Sequence, residues 1–163
     1  MLEYVELHCL SNFTFLRGAS HPEELVKRAQ ELGYRALALT DECSLAGVVR
    51  AHVAAQKHHL PLIIGSEFSL ADGPKLVLLA TSRYGYRSLT RLVTQARSTT
   101  PKGQYRLVTD DMTHEVLTDC LVLILCSLES TRNHTCADYY RTLEQNTGWL
   151  SELLPNRVWI GVE

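Results

Sequence analysis

The sequence predicts an α/β fold: a parallel sheet with helices outside it, laid out as an incomplete β/α barrel. Three observations lead there. Short apolar runs with strand character alternate with amphipathic helical stretches along the chain. A residue of metal-ligand type closes each of three such runs, with His8 after Tyr4–Leu7, Asp41 after Ala36–Thr40 and Glu67 after Leu62–Ser66. In parallel β/α folds, ligands gather just beyond the carboxyl ends of the strands. Finally, about five strands in 163 residues fall short of a closed barrel, which takes about 200 residues or more.

The first strand is expected at Tyr4–His8, followed by a loop from Cys9 to Ala19. Helix one has a start signal in Ser20 as cap, Pro22 in the first turn and Glu23 three residues after the serine. Its apolar residues Leu25, Val26, Ala29 and Leu32 recur at helical spacing, and Gly33 supplies the stop. Ala36–Thr40 is the second strand. Ser44 is placed to cap a helix from Leu45 to about Lys57, and Pro61 opens the third strand, Leu62–Ser66. Phe68–Leu70, the turn Ala71-Asp72-Gly73-Pro74 and Lys75–Ala80 read as a hairpin. Tyr84–Gln95 is helical, and 98–104 reads as a flexible loop. A short helix from Asp110 or Thr113 to Leu117, a strand Leu121–Leu125, a helix Ala137–Leu150 and a last strand Val158–Val162 complete the series.

Composition bounds the function. The hydrophobic fraction of 45% and charged fraction of 21% are those of an ordinary globular protein, and the length suits a single domain spanning 1–163. No apolar stretch approaches the roughly 20 residues that span a bilayer, so no membrane partner is expected. Met1 is followed by Glu3 and Glu6 rather than a basic-then-apolar leader, which predicts a cytoplasmic protein. The net charge of −2 argues against a module that grips DNA mainly through phosphates. Arg83, Arg87, Arg91 and Arg97 recur on one helical stretch and read as a solvated face. Cys9, Cys43, Cys120, Cys126 and Cys136 lack paired CxxC spacing and read as reduced structural thiols. His58 and His59 adjoin, which sends their side chains apart, and His134 reads as a loop or cap residue. Ser11 lies near His8 without nominating a Ser-His-Asp arrangement, and no GxGxxG or phosphate-loop lysine motif occurs.

His8-Cys9-Leu10-Ser11-Asn12-Phe13-Thr14-Phe15-Leu16-Arg17-Gly18-Ala19-Ser20-His21-Pro22-Glu23-Glu24-Leu25 carries a resemblance, with Ala36 through Val48 and Ile64-Gly65-Ser66-Glu67. Gly85-Tyr86-Arg87-Ser88-Leu89, Lys102 to Leu107 and Trp159 to Glu163 match in order as well. Together they resemble the N-terminal polymerase-and-histidinol-phosphatase (PHP) domain of bacterial C-family DNA polymerases, most of all the error-prone branch. The resemblance implies a distorted TIM-like barrel of seven β/α units, of which this chain covers the leading part. It implies a DNA-directed DNA polymerase as parent, whose polymerase body is the first partner and through which DNA is reached. The palm, thumb and finger regions of such a parent lie downstream, so no catalytic residue for nucleotidyl transfer is expected here. The chain stops directly after Val158–Val162 with no closing helix, in keeping with a leading piece of a longer protein.

The resemblance also identifies what has changed. Metal-bearing members place a histidine where this chain has Leu10, an aspartate where it has Arg17 and a histidine where it has Glu42. His8, Asp41 and Glu67 remain as relic metal-site positions. A guanidinium stays cationic at any relevant pH and repels a divalent ion, so Arg17 is expected to take the ion's place and pair with Asp41 or Glu67. The leading expectation is an accessory domain with a degenerate metal site and no cofactor. The alternative is an active phosphoesterase, a 3′–5′ exonuclease or phosphatase, using His8, Asp41 and Glu67 as ligands and Glu42 as a replacement oxygen ligand. Such oxygen-rich ligation favours manganese or magnesium over zinc. A free-standing binding protein is the third reading.

Overall fold

The computed structural model describes residues 4–126 and 136–162; His134 lies outside the described residues. Six strands form one sheet in the order of the chain: β1 (Val5–Cys9), β2 (Ala36–Leu39), β3 (Leu62–Ser69), β4 (Lys75–Ala80), β5 (Cys120–Cys126) and β6 (Val158–Val162). Four helices connect or follow them: α1 (Pro22–Glu31), α2 (Val48–His58), α3 (Arg83–Ser98) and α4 (Cys136–Leu153). The sheet is mixed rather than wholly parallel. β1, β2 and β3 run parallel, β4 is antiparallel to both β3 and β5, and β6 returns parallel to β5.

β3 is the pivot. Its first residues, Leu62–Ile64, pair with Leu37–Leu39 of β2, and Gly65–Ser69 pair with β4. One strand of eight residues therefore joins the two segments that the sequence divides at Glu67. The glutamate sits inside the strand, opposite Val77, rather than at its end.

The short helix expected from Asp110 or Thr113 to Leu117 is not formed: a 3-10 turn spans Thr109–Asp111, closed by the Asp111 carboxylate accepting the Val108 N–H at 2.9 Å, and a further turn follows at 114–119. The starts of α1 and α2 also differ from the sequence expectation. α1 is capped at His21, where Glu24 rather than Glu23 reaches back to accept the His21 N–H at 2.8 Å. α2 begins at Val48, not Leu45, because residues 41–47 are committed to a separate turn in which Cys43 adopts φ +43° and its N–H donates to the Glu67 carbonyl at 2.8 Å. Residues 98–104 form a bonded turn: the Gln104 N–H donates to the Pro101 carbonyl at 3.1 Å and Thr100 Oγ1 to the Gln104 carbonyl at 2.9 Å.

Strand alternation sorts the core into layers. Leu76 and Leu78 of β4 face α3 and α4, packing with Phe68, Leu89, Leu92 and Leu150. Val77 and Leu79 face the other way, with Ala38 and Leu125. α1 and α2 cover the first strands through Val26, Ala29, Leu37, Leu39, Ala51 and Ala55. The inner face lines a concavity of about 900 Å³ that includes Leu7 of β1, Leu123 of β5 and Trp159 of β6. Both edge strands border the same hollow, so the sheet is curled like part of a barrel wall. Among the described residues, no helix is long and apolar enough to cross a membrane.

Candidate functional site

The site lies where the loop after β1 meets the turn after β2 and the middle of β3. Loop 10–18 is fastened by Asp41, which is buried. Its Oδ1 accepts the Ser11 N–H at 2.7 Å and the Thr14 hydroxyl at 2.8 Å, and its Oδ2 accepts the Ser11 hydroxyl at 2.7 Å. The Thr14 oxygen accepts in turn the Glu42 N–H at 3.0 Å. The loop closes tightly: the Gly18 N–H donates to the Thr14 carbonyl at 3.0 Å, and a Cβ at Gly18 would come within 1.9 Å of the Ser11 carbonyl oxygen. A residue with any side chain is excluded there unless the backbone moves. Leu16 turns through φ +65° just before Arg17.

This closure delivers Arg17 onto two carboxylates. Its Nη1 donates to Glu67 Oε1 and, at 2.8 Å, to Glu42 Oε2, and its Nη2 donates to Glu67 Oε2 at 3.2 Å. His8 Nε2 lies 2.8 Å from the same Oε2, and Lys75 Nζ is 3.8 Å from Oε1. Glu67 is 0% exposed, so both its oxygens are engaged in a buried setting. Burial alone pushes its carboxyl up. Hydrogen bonds from His8 and Arg17, with the charges of Lys75 and Arg17, reverse that and hold it at about 2. Arg17 is itself pushed well above the ordinary guanidinium range, first by its hydrogen bond to Glu67.

A tyrosine completes the cluster from the far side. The Tyr105 hydroxyl donates to Glu42 Oε1 at 2.8 Å and accepts the Ser69 N–H at 2.9 Å. Burial, joined by the bond to Glu42, raises its phenol above the ordinary range. Arg97 lies 5.9 Å from the Tyr105 ring centroid and donates from Nε to the Cys43 carbonyl at 2.9 Å.

The structure thus gathers His8, Arg17, Glu42 and Glu67 into one bonded group. Asp41 stands apart in its own hydrogen-bond set, so of the two partners expected for Arg17 only Glu67 is taken. Leu10 contributes no polar atom. Ser11 is bonded to Asp41 rather than to His8, and serves the loop. Ser11, Thr14, Lys75 and Tyr105 were not singled out as site residues in the sequence. A serine and a threonine three apart before a glycine hint at a bonded loop, whereas Tyr105 and Lys75 reach the site only through tertiary packing. Among the described residues, no group of three or more His, Cys, Asp or Glu side chains is disposed to hold an ion. The described cysteines Cys9, Cys43, Cys120 and Cys126 are free thiols, and burial pushes Cys9, Cys43 and Cys120 up to about 11.

A model of the PHP domain matches residues 6–162. The chain belongs to the PHP domain family. Error-prone DNA polymerases are among its relatives. That of Dechloromonas aromatica is 53% identical over 165 residues, covering 99% of this chain and 15% of the relative. That of Pseudomonas aeruginosa is 49% identical, covering 100% of this chain and 14% of the relative. The PHP segment therefore spans about one-seventh of the length of these curated relatives. Two solved structures share its fold. An amidohydrolase from Chromobacterium violaceum, with bound sulfate and no metal, matches at TM-score 0.68 and 15% identity, covering 96% of this chain and 75% of that one. A candidate metal-dependent phosphoesterase from Bifidobacterium adolescentis matches at TM-score 0.60 and 14% identity, covering 99% and 87%. The incomplete barrel expected from the strand count accords with both.

Proposed function

We propose that this chain is the N-terminal PHP portion of a cytoplasmic error-prone, damage-tolerant DNA-directed DNA polymerase, and that its ancestral ion site has become a salt-bridged structural cluster. Its job is architectural: it packs against the polymerase body of the same parent chain, whose catalytic core acts on DNA. One observation carries the reading. The Arg17 guanidinium sits on Glu67 and Glu42, taking the lone pairs that a divalent ion would need. His8 and Lys75 add to the positive side of the cluster. The residues present do not fit a divalent ion: an arriving cation would have to displace a permanent one and meet its repulsion at a few ångströms. Asp41, with three donors already on its two oxygens, has little to offer.

The test is thermal melting of the purified chain with and without manganese, zinc or magnesium, together with elemental analysis by plasma mass spectrometry. A site of micromolar affinity would add about 4 kcal/mol at millimolar metal, a rise in melting temperature of roughly 10 °C or more for a domain of this size. The proposal expects no such rise and no stoichiometric metal. A clear rise, with hydrolysis of a phosphomonoester or of a DNA 3′ end, would establish the metal-dependent phosphoesterase instead.

A further inference from the structure

Helix α3 carries four arginines and no acidic residue, in a chain whose net charge is −2. Its buried positions are Gly85, Leu89, Leu92 and Ala96. At 100° per residue, Arg83, Arg87 and Arg91 fall along the middle of the opposite face, and all three are exposed. Arg97 is different, being engaged with the Cys43 carbonyl. Successive arginines of the stripe are separated by about 6 Å along the axis, so the charges extend over roughly 12 Å. None of the three pairs with a carboxylate among the described residues. Asp119 and Asp111, which touch the two ends of the helix, are bonded instead to Ser82 at 2.6 Å and Gln95 at 2.8 Å.

Two tyrosines accompany the first of these charges. Tyr84 is 69% exposed and Tyr86 39%. Tyr86 and Arg83 also line a groove of about 680 Å³ with Ile63, Ala80 and Thr81, at the start of β3 and the end of β4. The groove lies at the opposite end of the sheet from the Arg17 cluster.

We propose that the outer face of α3 binds a single DNA strand. Arg83, Arg87 and Arg91 contact alternate phosphates along the strand, and Tyr84 and Tyr86 stack on bases beside Arg83. The charge sign selects a polyanion. Aromatic rings next to a basic stripe select a nucleic-acid strand over an acidic peptide, because exposed bases offer π-faces for stacking. The spacing of about 6 Å between arginines spans roughly two nucleotides of one strand at about 3.4 Å each, so the three side chains reach every second phosphate. The choice of DNA over RNA rests on the polymerase reading; the rest stands on α3 alone.

Fluorescence anisotropy with a labelled oligo-dT tests this, at about 50 and 200 mM salt. Three phosphate contacts to a single strand give a log–log salt slope near −2, so the fourfold rise in salt should weaken binding roughly 20-fold. R87E/R91E should abolish measurable binding while leaving the melting temperature unchanged, since both side chains are exposed. Y84A should weaken binding several-fold or more at an unchanged salt slope. R28A on α1, also exposed, is the control and should change nothing. No binding by the wild type, or binding unaffected by R87E/R91E, overturns the proposal, as does full displacement of the strand by poly-glutamate or anionic vesicles at equal charge. Tighter binding of oligo-U than oligo-dT overturns the choice of DNA. R17A should leave the anisotropy unchanged, so failure at α3 and failure of the metal-site reading are told apart.

Discussion

Replacing Arg17 with alanine removes the cation that neutralises Glu67 and Glu42 while sparing the apolar core. Glu67 is fully buried and its carboxyl is held at about 2, against an ordinary value of 4.5. At about 1.4 kcal/mol per pKa unit, that difference is worth on the order of 3 kcal/mol near neutral pH. His8 and Lys75 remain in the variant, and Arg17 is 37% exposed, so solvent screening and residual partners trim its share to about 2 kcal/mol. The melting temperature should fall by roughly 4–8 °C. The sign with pH follows from the lowered carboxyl: the stabilisation is fully present above the unfolded value of 4.5 and is lost as pH falls through about 2. Urea unfolding of wild type and R17A near neutral pH and near pH 2 checks both. The gap between them should be wide at neutral pH and close towards the acid end. A double cycle with Glu67→Gln sharpens the result, since R17A in that background should cost less than about 1 kcal/mol. A loss below about 0.5 kcal/mol at neutral pH, or equal losses at both pH values, would refute the ion-pair account.

Further expectations concern the loop and its supports. Asp41→Ala strands the Ser11 N–H and the Ser11 and Thr14 hydroxyls, and should cost roughly 3 kcal/mol at about 1 kcal/mol per bond, read by chemical denaturation. Gly18→Ala drives a Cβ into the Ser11 carbonyl and should cost about 3 kcal/mol; proteolysis should then cut loop 10–18 faster than in the wild type. Tyr105→Phe removes the donor to Glu42 and the acceptor for the Ser69 N–H, and should lower stability by about 1–2 kcal/mol. A crystal structure of that variant should show the Glu42 carboxylate repositioned, while Arg17 still meets Glu67.

The sequence was explicit wherever the signal was local and periodic. Apolar runs and helical spacing placed the four long helices and the strands, with ends shifted by a few residues, because period-2 and period-3.6 patterns follow directly from which faces are buried; the short helix expected up to Leu117 is instead a 3-10 turn at Thr109–Asp111, and the arm Phe68–Leu70 belongs largely to β3. Matched motifs named the family and marked His8, Asp41 and Glu67. The split of β3 between two partners was illegible, since the pairing direction of a buried strand depends on where its neighbours lie and not on its own residues. The same holds for the cap of α1: the x-x-Glu spacing fits Ser20 with Glu23 and His21 with Glu24 alike, and in the fold Glu24 takes the His21 N–H while Glu23 meets Arg50 of α2.

By itself, the chain's wording determined an α/β barrel wall, a family and a permanent cation at residue 17. Only the tertiary structure decided which acid that cation meets. Asp41 and Glu67 are equally plausible partners on paper, but Ser11 and Thr14 of loop 10–18 already occupy both Asp41 oxygens, and the tight closure at Gly18 carries the guanidinium past it to Glu67 and Glu42. The reason is geometric: a side chain about 6–7 Å long finds its partner from the path of the backbone that carries it, and that path is fixed by hydrogen bonds between residues far apart in the sequence.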